Sequence, residues 1–418
     1  MACCVTIGAV HLPALFLLER SVHESVERRF GEIRGARKPS IESLSEVRSF
    51  DPPGATRKYN ICNMSDNRLS KYRRLLFSSD ASVYPGSLPC EVLELDNVLV
   101  TGQGFVIFDD MFIADSQFAP PFWESGHCEN LAVLNEVLIE NSISCVNIFD
   151  QTISINFPKE SEIHILDKKV FLFDVRYGSK NFGHFVHDTM TLVPTFIALA
   201  SEDRILSPFF ACRNFKFPIM EVTLETLLGS EKSSWNFFPS KVIRIKKLVL
   251  PCKHVDFMCW NACTGAVRRL RAEIDKAFPP PIPSQRKNIY ISRNDGRRAA
   301  KNEVIITNSD EMTDILRKWN FETVESSRLS VSQYFDIFRN CNIMAGVHGA
   351  GLMNFIFSPT SKLVELVFEG FPGWLSVSFY AEVAGTPNRR IVHQTPNGRN
   401  VEVDLVAFEA AISEVANL

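Results

Sequence analysis

The chain has 418 residues, 45% hydrophobic and 22% charged, enough to bury a sizeable core and to form two domains or more. Its net charge of -3 provides no basic field for nucleic acid, so an acidic ligand must be held by a local cluster. Eleven cysteines scattered over this length are not the dense, paired pattern of a small disulfide scaffold, and a reducing compartment is expected.

The N-terminal stretch "MACCVTIGAVHLPALFLL" is apolar, but no positive charge precedes it and it contains His11 and Pro13. It is shorter than the roughly 20 residues of a spanning helix and lacks the charged start of a signal peptide. The stretch reads first as an N-terminal strand or helix with a basic solvated tail, and Arg28, Arg29, Arg34, Arg37 and Lys38 leave peripheral contact with a membrane open. Residues 1–75 are read as a basic, loosely ordered leader, on the Arg, Ser and Asn content of its second half. The sequon at Asn63 does not by itself argue for secretion.

Short alternating runs between Ser87 and Ala119 predict a small antiparallel unit, so residues 76–160 are expected to form a strand-rich N-terminal region. Asp109 and Asp110 fall at one of its turns and are read as turn residues. Further on, Cys252, Cys259 and Cys263 with His254 lack the C-x-x-C spacing of structural zinc sites and read as buried cysteines.

The C-terminal third is the most regular part. "NIYIS" reads as a strand, and "NSDEMTDILRKW" opens a helix with Asn308 as cap and Glu311 three residues on. "FETVE" is a second strand. "LSVSQYFDIFRNC" repeats the helix signal, with Ser330 capping, Gln333 completing the box and Leu329 as a staple. "NIMAG", a short helix "GLMNFIF" and "KLVELVF" follow. Strands alternating with helices of this length predict a parallel, doubly wound α/β sheet.

Such sheets bind ligands beyond the carboxyl ends of their strands. "GVHGAGL" sits at such an end, where Gly349, Ala350 and Gly351 let the backbone approach an anion and His348 can donate to it. "SRNDGRRAAKNE" follows the first strand, so Arg293, Arg297, Arg298 and Lys301 emerge on the same side, one or two of them as plain solvated charges. Upstream, a helix starting near Gly183 would place His184, His187 and Asp188 on one face. That face suits a general base, a capping and packing network, or a metal site.

"NIYISRNDGRRAAKNE", "NIMAGVHGAGLMN" and "KLVELVF", together with the upstream "YGSKNFGHFVHDTMTLVP", resemble glycosyltransferase family 61. That family includes plant xylosyltransferases, animal O-linked N-acetylglucosaminyltransferases and many bacterial members, and this chain resembles the bacterial type. The likeness spans roughly residues 85–375 and leaves out residues 1–75 and the far C-terminus. It implies a GT-B-like architecture of two Rossmann-type domains facing across a cleft: residues 161–285 on the acceptor side and 286–418 binding the nucleotide-sugar. The resemblance maps family residues onto Asn181, His184 and Asp188, and onto Arg293, Arg298, Asn302, Glu303, His348, Gly349, Gly351 and Glu365.

The implied reaction is transfer of a sugar, hexosyl or pentosyl, from a UDP-linked donor to a glycan or protein-linked glycan acceptor, with inversion. The chain has no Asp-x-Asp, so fixed cations and the glycine loop, rather than a metal or other cofactor, are expected to hold the diphosphate. Asp188 is the preferred base, His184 its competitor, and Asn181 and His187 support them. Glu365 suits a sugar or ribose hydroxyl, or an ion pair with Arg298. A silent nucleotide-sugar or glycan binder and a pyruvyl-type polysaccharide transferase are the alternatives. The expected location is cytoplasmic or membrane-peripheral, or the secretory pathway, by family analogy, in a eukaryote.

Overall fold

The computed structural model describes residues 56–63, 67–78, 87–101, 105–114, 146–147, 152–156, 163–173, 181–212, 214–238, 242–252, 255–256, 261–292, 305–368, 377–393 and 400–418. Two large sheets organise these residues. The first runs from Asn236–Phe237 through Ser207–Phe210, His164–Phe173 and Val242–Pro251 to Cys90–Thr101. It continues through Val106–Phe108, Met111–Ala114, Thr56–Asn63, Thr152–Asn156 and Val146–Asn147, with Arg73–Phe77 pairing beside Cys90–Thr101. As far as Val242–Pro251 the strands are parallel. From Cys90–Thr101 through Met111–Ala114 they form the antiparallel meander that the alternating runs predict. Asp109 adopts φ 53° at its tight turn, and Asp110 accepts a hydrogen bond from Asn60 Nδ2 at 2.7 Å.

Within the segment expected as a leader through residue 75, the described residues begin with a strand at Thr56. Thr56–Asn63 lies inside the sheet, parallel to Met111–Ala114 and antiparallel to Thr152–Asn156. Tyr59, Cys62 and, in the turn that follows, Leu69 are buried. Few apolar residues among Arg, Asn and Ser suffice here because strands on both edges take up its backbone hydrogen bonds. The sheet also passes without interruption across the boundary expected at residue 160, because Cys90–Thr101 pairs with Val242–Pro251 over nearly its whole length.

The second sheet is wholly parallel, in the order Phe321–Val324, Lys287–Ile291, Cys341–Val347, Lys362–Phe368, Asn388–His393. In chain order this is 2-1-3-4-5, so the direction of winding reverses between Lys287–Ile291 and Cys341–Val347. Helices Ser309–Lys318 and Leu405–Ala416 cover one face through Met312, Leu316, Phe408 and Ile412. Val331–Arg339, the 3-10 helix Ala350–Phe357 and Val377–Val383 cover the other. The Ser330 capping box forms as expected, with Ser330 N donating to Gln333 Oε1 at 3.0 Å. Asn308 precedes its helix as expected, but its amide spans to Val403, at 2.8 and 2.9 Å, rather than capping.

One apolar core joins the two sheets, containing Val249 and Val267 from the first half and Met353, Phe355 and Tyr380 from the second. One half-buried and one buried guanidinium group tie the halves. Arg271 donates to Ser358 O and Thr386 Oγ1, and Arg339 to Phe357 O at 2.6 Å and to Asp275 at 2.8 Å. Among the described residues no helix is long and apolar enough to cross a membrane.

Candidate functional site

The rod that starts at Phe182 is irregular for its first three turns. Asn181 adopts an extended conformation, and its Oδ1 accepts from Gly183 N at 2.9 Å and His184 N at 3.4 Å, so its supporting role is that of an N-cap. One α turn, Phe182–His184, passes into a π turn, Phe185–Thr189, then a 3-10 turn, Met190–Leu192, before the regular helix Val193–Glu202. Single π turns of this kind concentrate at functional sites.

This turn gathers the three polar side chains read from the sequence. His184 Nδ1 lies 3.0 Å from Asp188 Oδ2, and His187 Nδ1 lies 2.8 Å from Asp188 Oδ1. An ionised carboxylate only accepts, so each ring carries its Nδ1 proton toward Asp188 and turns Nε2 the other way. His184 is 40% exposed, His187 12% and Asp188 13%. The sequence favours Asp188 as base; the geometry favours His184, because the accessible ring is backed by a carboxylate that both histidines already engage. The same three residues could also bind a divalent ion, since one ligand atom from each lies within 4.8 Å of the others.

The glycine loop packs directly on this rod. A Cβ on Gly183 would lie 3.3 Å from Ala350 Cβ, so the two segments meet only because residue 183 has no side chain. Ala350 is therefore a packing contact. Gly349 takes φ 155° and ψ 178°, a region essentially confined to glycine. A Cβ on Gly351 would lie 2.8 Å from Ile291 Cγ2, and one on Gly346 would lie 3.1 Å from Ile291 O. These contacts bring the end of Lys287–Ile291 against the His348 loop at the sheet's switch point. Ser292 then leads into the basic segment. Arg293, Arg297, Arg298, Lys301, Asn302 and Glu303 lie outside the described residues.

Glu365 lies on the strand Lys362–Phe368, beside the His348 loop. It is 0% exposed, and its Oε1 lies 2.6 Å from His348 Nδ1 and accepts from Val377 N at 2.9 Å. Oε2 accepts from Ser378 N at 2.8 Å and Ser378 Oγ at 2.6 Å. The carboxylate thus orients His348 and accepts from the first N–H groups of the helix Val377–Val383. Arg390 stands opposite Glu365 across the strands; burial pulls its guanidinium below the usual range while Glu365 pushes it back up. Ser378 and Arg390 are the residues the sequence reading missed. Neither sits in a recognisable pattern, and the helix and edge strand that carry them were not anticipated.

Cys263 lies with Cys90 in a small apolar cluster, and burial pushes the Cys252 thiol up to about 12. His254 and Cys259 lie outside the described residues.

The family model described as Glycosyltransferase 61 matches residues 182–364, from the start of the irregular rod to the residue before Glu365. No curated protein matches the chain.

Proposed function

Because residues 182–364 belong to glycosyltransferase family 61, we propose that the protein moves a sugar from a UDP-linked donor to a glycan or protein-linked glycan acceptor, with inversion and without a metal. The family implies a donor and an acceptor. The observation that supports this reading most is the contact between Gly183 and Ala350, which sets a His/Asp proton acceptor directly beside a glycine-rich loop. A transferase needs both functions at one place; a binder needs only the second.

In the proposed step the acceptor oxygen attacks the anomeric carbon from the side opposite the diphosphate, and its proton passes to His184 Nε2. The bond from the anomeric carbon to the phosphate oxygen breaks, and its electron pair leaves on the diphosphate. His348, the backbone of Gly349–Gly351 and the arginines after Ser292 hold that charge. Asp188 stabilises the imidazolium form of His184, and Glu365 fixes the His348 ring. The parallel sheet with its 2-1-3-4-5 order supports a Rossmann-type donor half, and a GT-B-like pairing of the halves is part of the proposal.

The test is a screen of nucleotide-sugars against glycan acceptors that detects product, run with and without EDTA. Sugar transfer that survives EDTA is expected. UDP binding without product from any pair would favour the silent binder, and transfer of a pyruvyl group alone would favour that alternative. Activity lost in EDTA and restored by manganese would move the His/Asp cluster to a metal-binding role.

A further inference from the structure

A polar pair sits inside an otherwise apolar seam between the helix Val331–Arg339 and the 3-10 helix Ala350–Phe357. Tyr334 directly follows the capping box and is 6% exposed, with its ring edge-on to Phe338 and Phe357, centroids 4.7 and 6.2 Å apart. Its hydroxyl donates to Oδ1 of Asn354, itself 1% exposed, and Asn354 Nδ2 donates to Gly351 O at 2.8 Å. The amide thus uses both ends, and the phenol must be the donor because an amide oxygen only accepts. Burial pushes that phenol well above its ordinary range, so it keeps its proton. For stability alone, two apolar side chains of the same shape would serve about as well, so what the polar pair adds is direction.

The loop that receives this bond is the one most in need of it. Gly346, Gly349 and Gly351 lie close together in the chain, and glycine has the widest backbone freedom to lose. Packing on Ile291 limits where Gly351 lies, whereas the hydrogen bond to its carbonyl sets how the peptide plane turns. Leu352 N donates to Gly349 O at 3.0 Å, so the N–H groups of Ala350 and Gly351 come before the first donor of their helix and have no carbonyl within it to meet. The Tyr334 ring also lies 5.9 Å, centroid to centroid, from Phe182, the residue beside the Gly183 that packs on Ala350. Building on the transferase reading, we propose that Tyr334 and Asn354 are positioning residues for the donor's diphosphate: the chain from Tyr334 O–H through Asn354 to Gly351 O holds the Ala350 and Gly351 N–H groups in the direction that receives phosphate oxygens. Neither side chain touches the donor, and no bond to either forms or breaks. Because the same ring leans on Phe182, the loop is set relative to the rod that carries His184.

Tyr334→Phe tests this, because it keeps the ring against Phe182 and removes only the hydroxyl. UDP is expected to bind about tenfold more weakly in a calorimetric titration, while uridine, which has no diphosphate, binds as it does to the wild type. The variant also leaves Asn354 Oδ1 buried without its donor, so its melting temperature should fall. A second variant separates the two effects. Tyr334→Phe combined with Asn354→Leu replaces both partners by apolar groups of similar shape, and is expected to regain the melting temperature but not the affinity for UDP. Equal losses for UDP and uridine, undiminished UDP binding in both variants, or UDP binding that recovers together with stability would each overturn the inference and make the pair structural. A wild type that binds no UDP removes the donor reading and this inference with it; failure of the inference alone leaves UDP bound by the wild type.

Discussion

Two histidine–carboxylate pairs stand at the heart of this molecule, and they differ in what holds the carboxylate. Glu365 is fully buried and receives two backbone N–H groups and a hydroxyl besides the 2.6 Å contact to His348. Asp188 is 13% exposed and is held, as far as its described bonds show, by the two imidazoles of its own rod, at 3.0 and 2.8 Å. The same chemical pair serves as an anchor where backbone donors fix it and as a poised proton site where two imidazoles of one irregular turn meet it. Rigidity comes with four donors; adjustability comes with a π turn.

The largest expected effect is therefore on the anchored pair. Glu365→Ala leaves His348, Val377 N and Ser378 without their acceptor, and should cost about 3 to 5 kcal/mol of stability in urea unfolding. If it unfolds no more easily than Asp188→Ala, the contrast between anchor and poised site collapses. Next comes His184→Gln, which should lower kcat about 100-fold or more while UDP binding and the folded circular dichroism spectrum persist. A fully active His184→Gln would return the base to Asp188 or move it off this rod.

Asp188→Asn sharpens the same question. Because the carboxylate acts through His184, its loss should reduce kcat by a smaller factor, on the order of tenfold, with donor affinity intact. A larger fall than for His184→Gln would make Asp188 the base. The smallest effects concern the scaffold. Asn181→Ala should cost about 1 kcal/mol by removing the cap on Gly183 and His184, read as a lower melting temperature. Gly183→Ala adds a methyl 3.3 Å from Ala350 Cβ, so the rod and loop must part by a few tenths of an ångström. It should raise KM for the donor more than it lowers stability.

Much of the C-terminal half was legible because its elements announce themselves locally. Ser330 with Gln333, strand-length apolar runs, and glycines after Val347 each depend on neighbours within a few residues, and each appears where the sequence puts it. The convergence of His184, His187 and Asp188 was also readable from spacing, although the π turn that delivers it was not. Asn308 shows the limit of such signals. Its side chain is offered a partner 95 residues away, Val403, and takes it in place of the cap.

What sequence alone determined, then, is the set of reactive groups and the alternation of strand and helix, since both follow from side-chain chemistry and short-range periodicity. Tertiary structure decided what those groups do. Glu365 reads as a carboxylate at a strand end, and it became an anchor only because Val377–Val383 starts against it. Thr56–Asn63 reads as polar leader, and became a strand because Met111–Ala114 and Thr152–Asn156 flank it. Roles of this kind depend on contacts between residues far apart in the chain, and no local pattern encodes which distant segment will supply the missing donor or the covering face.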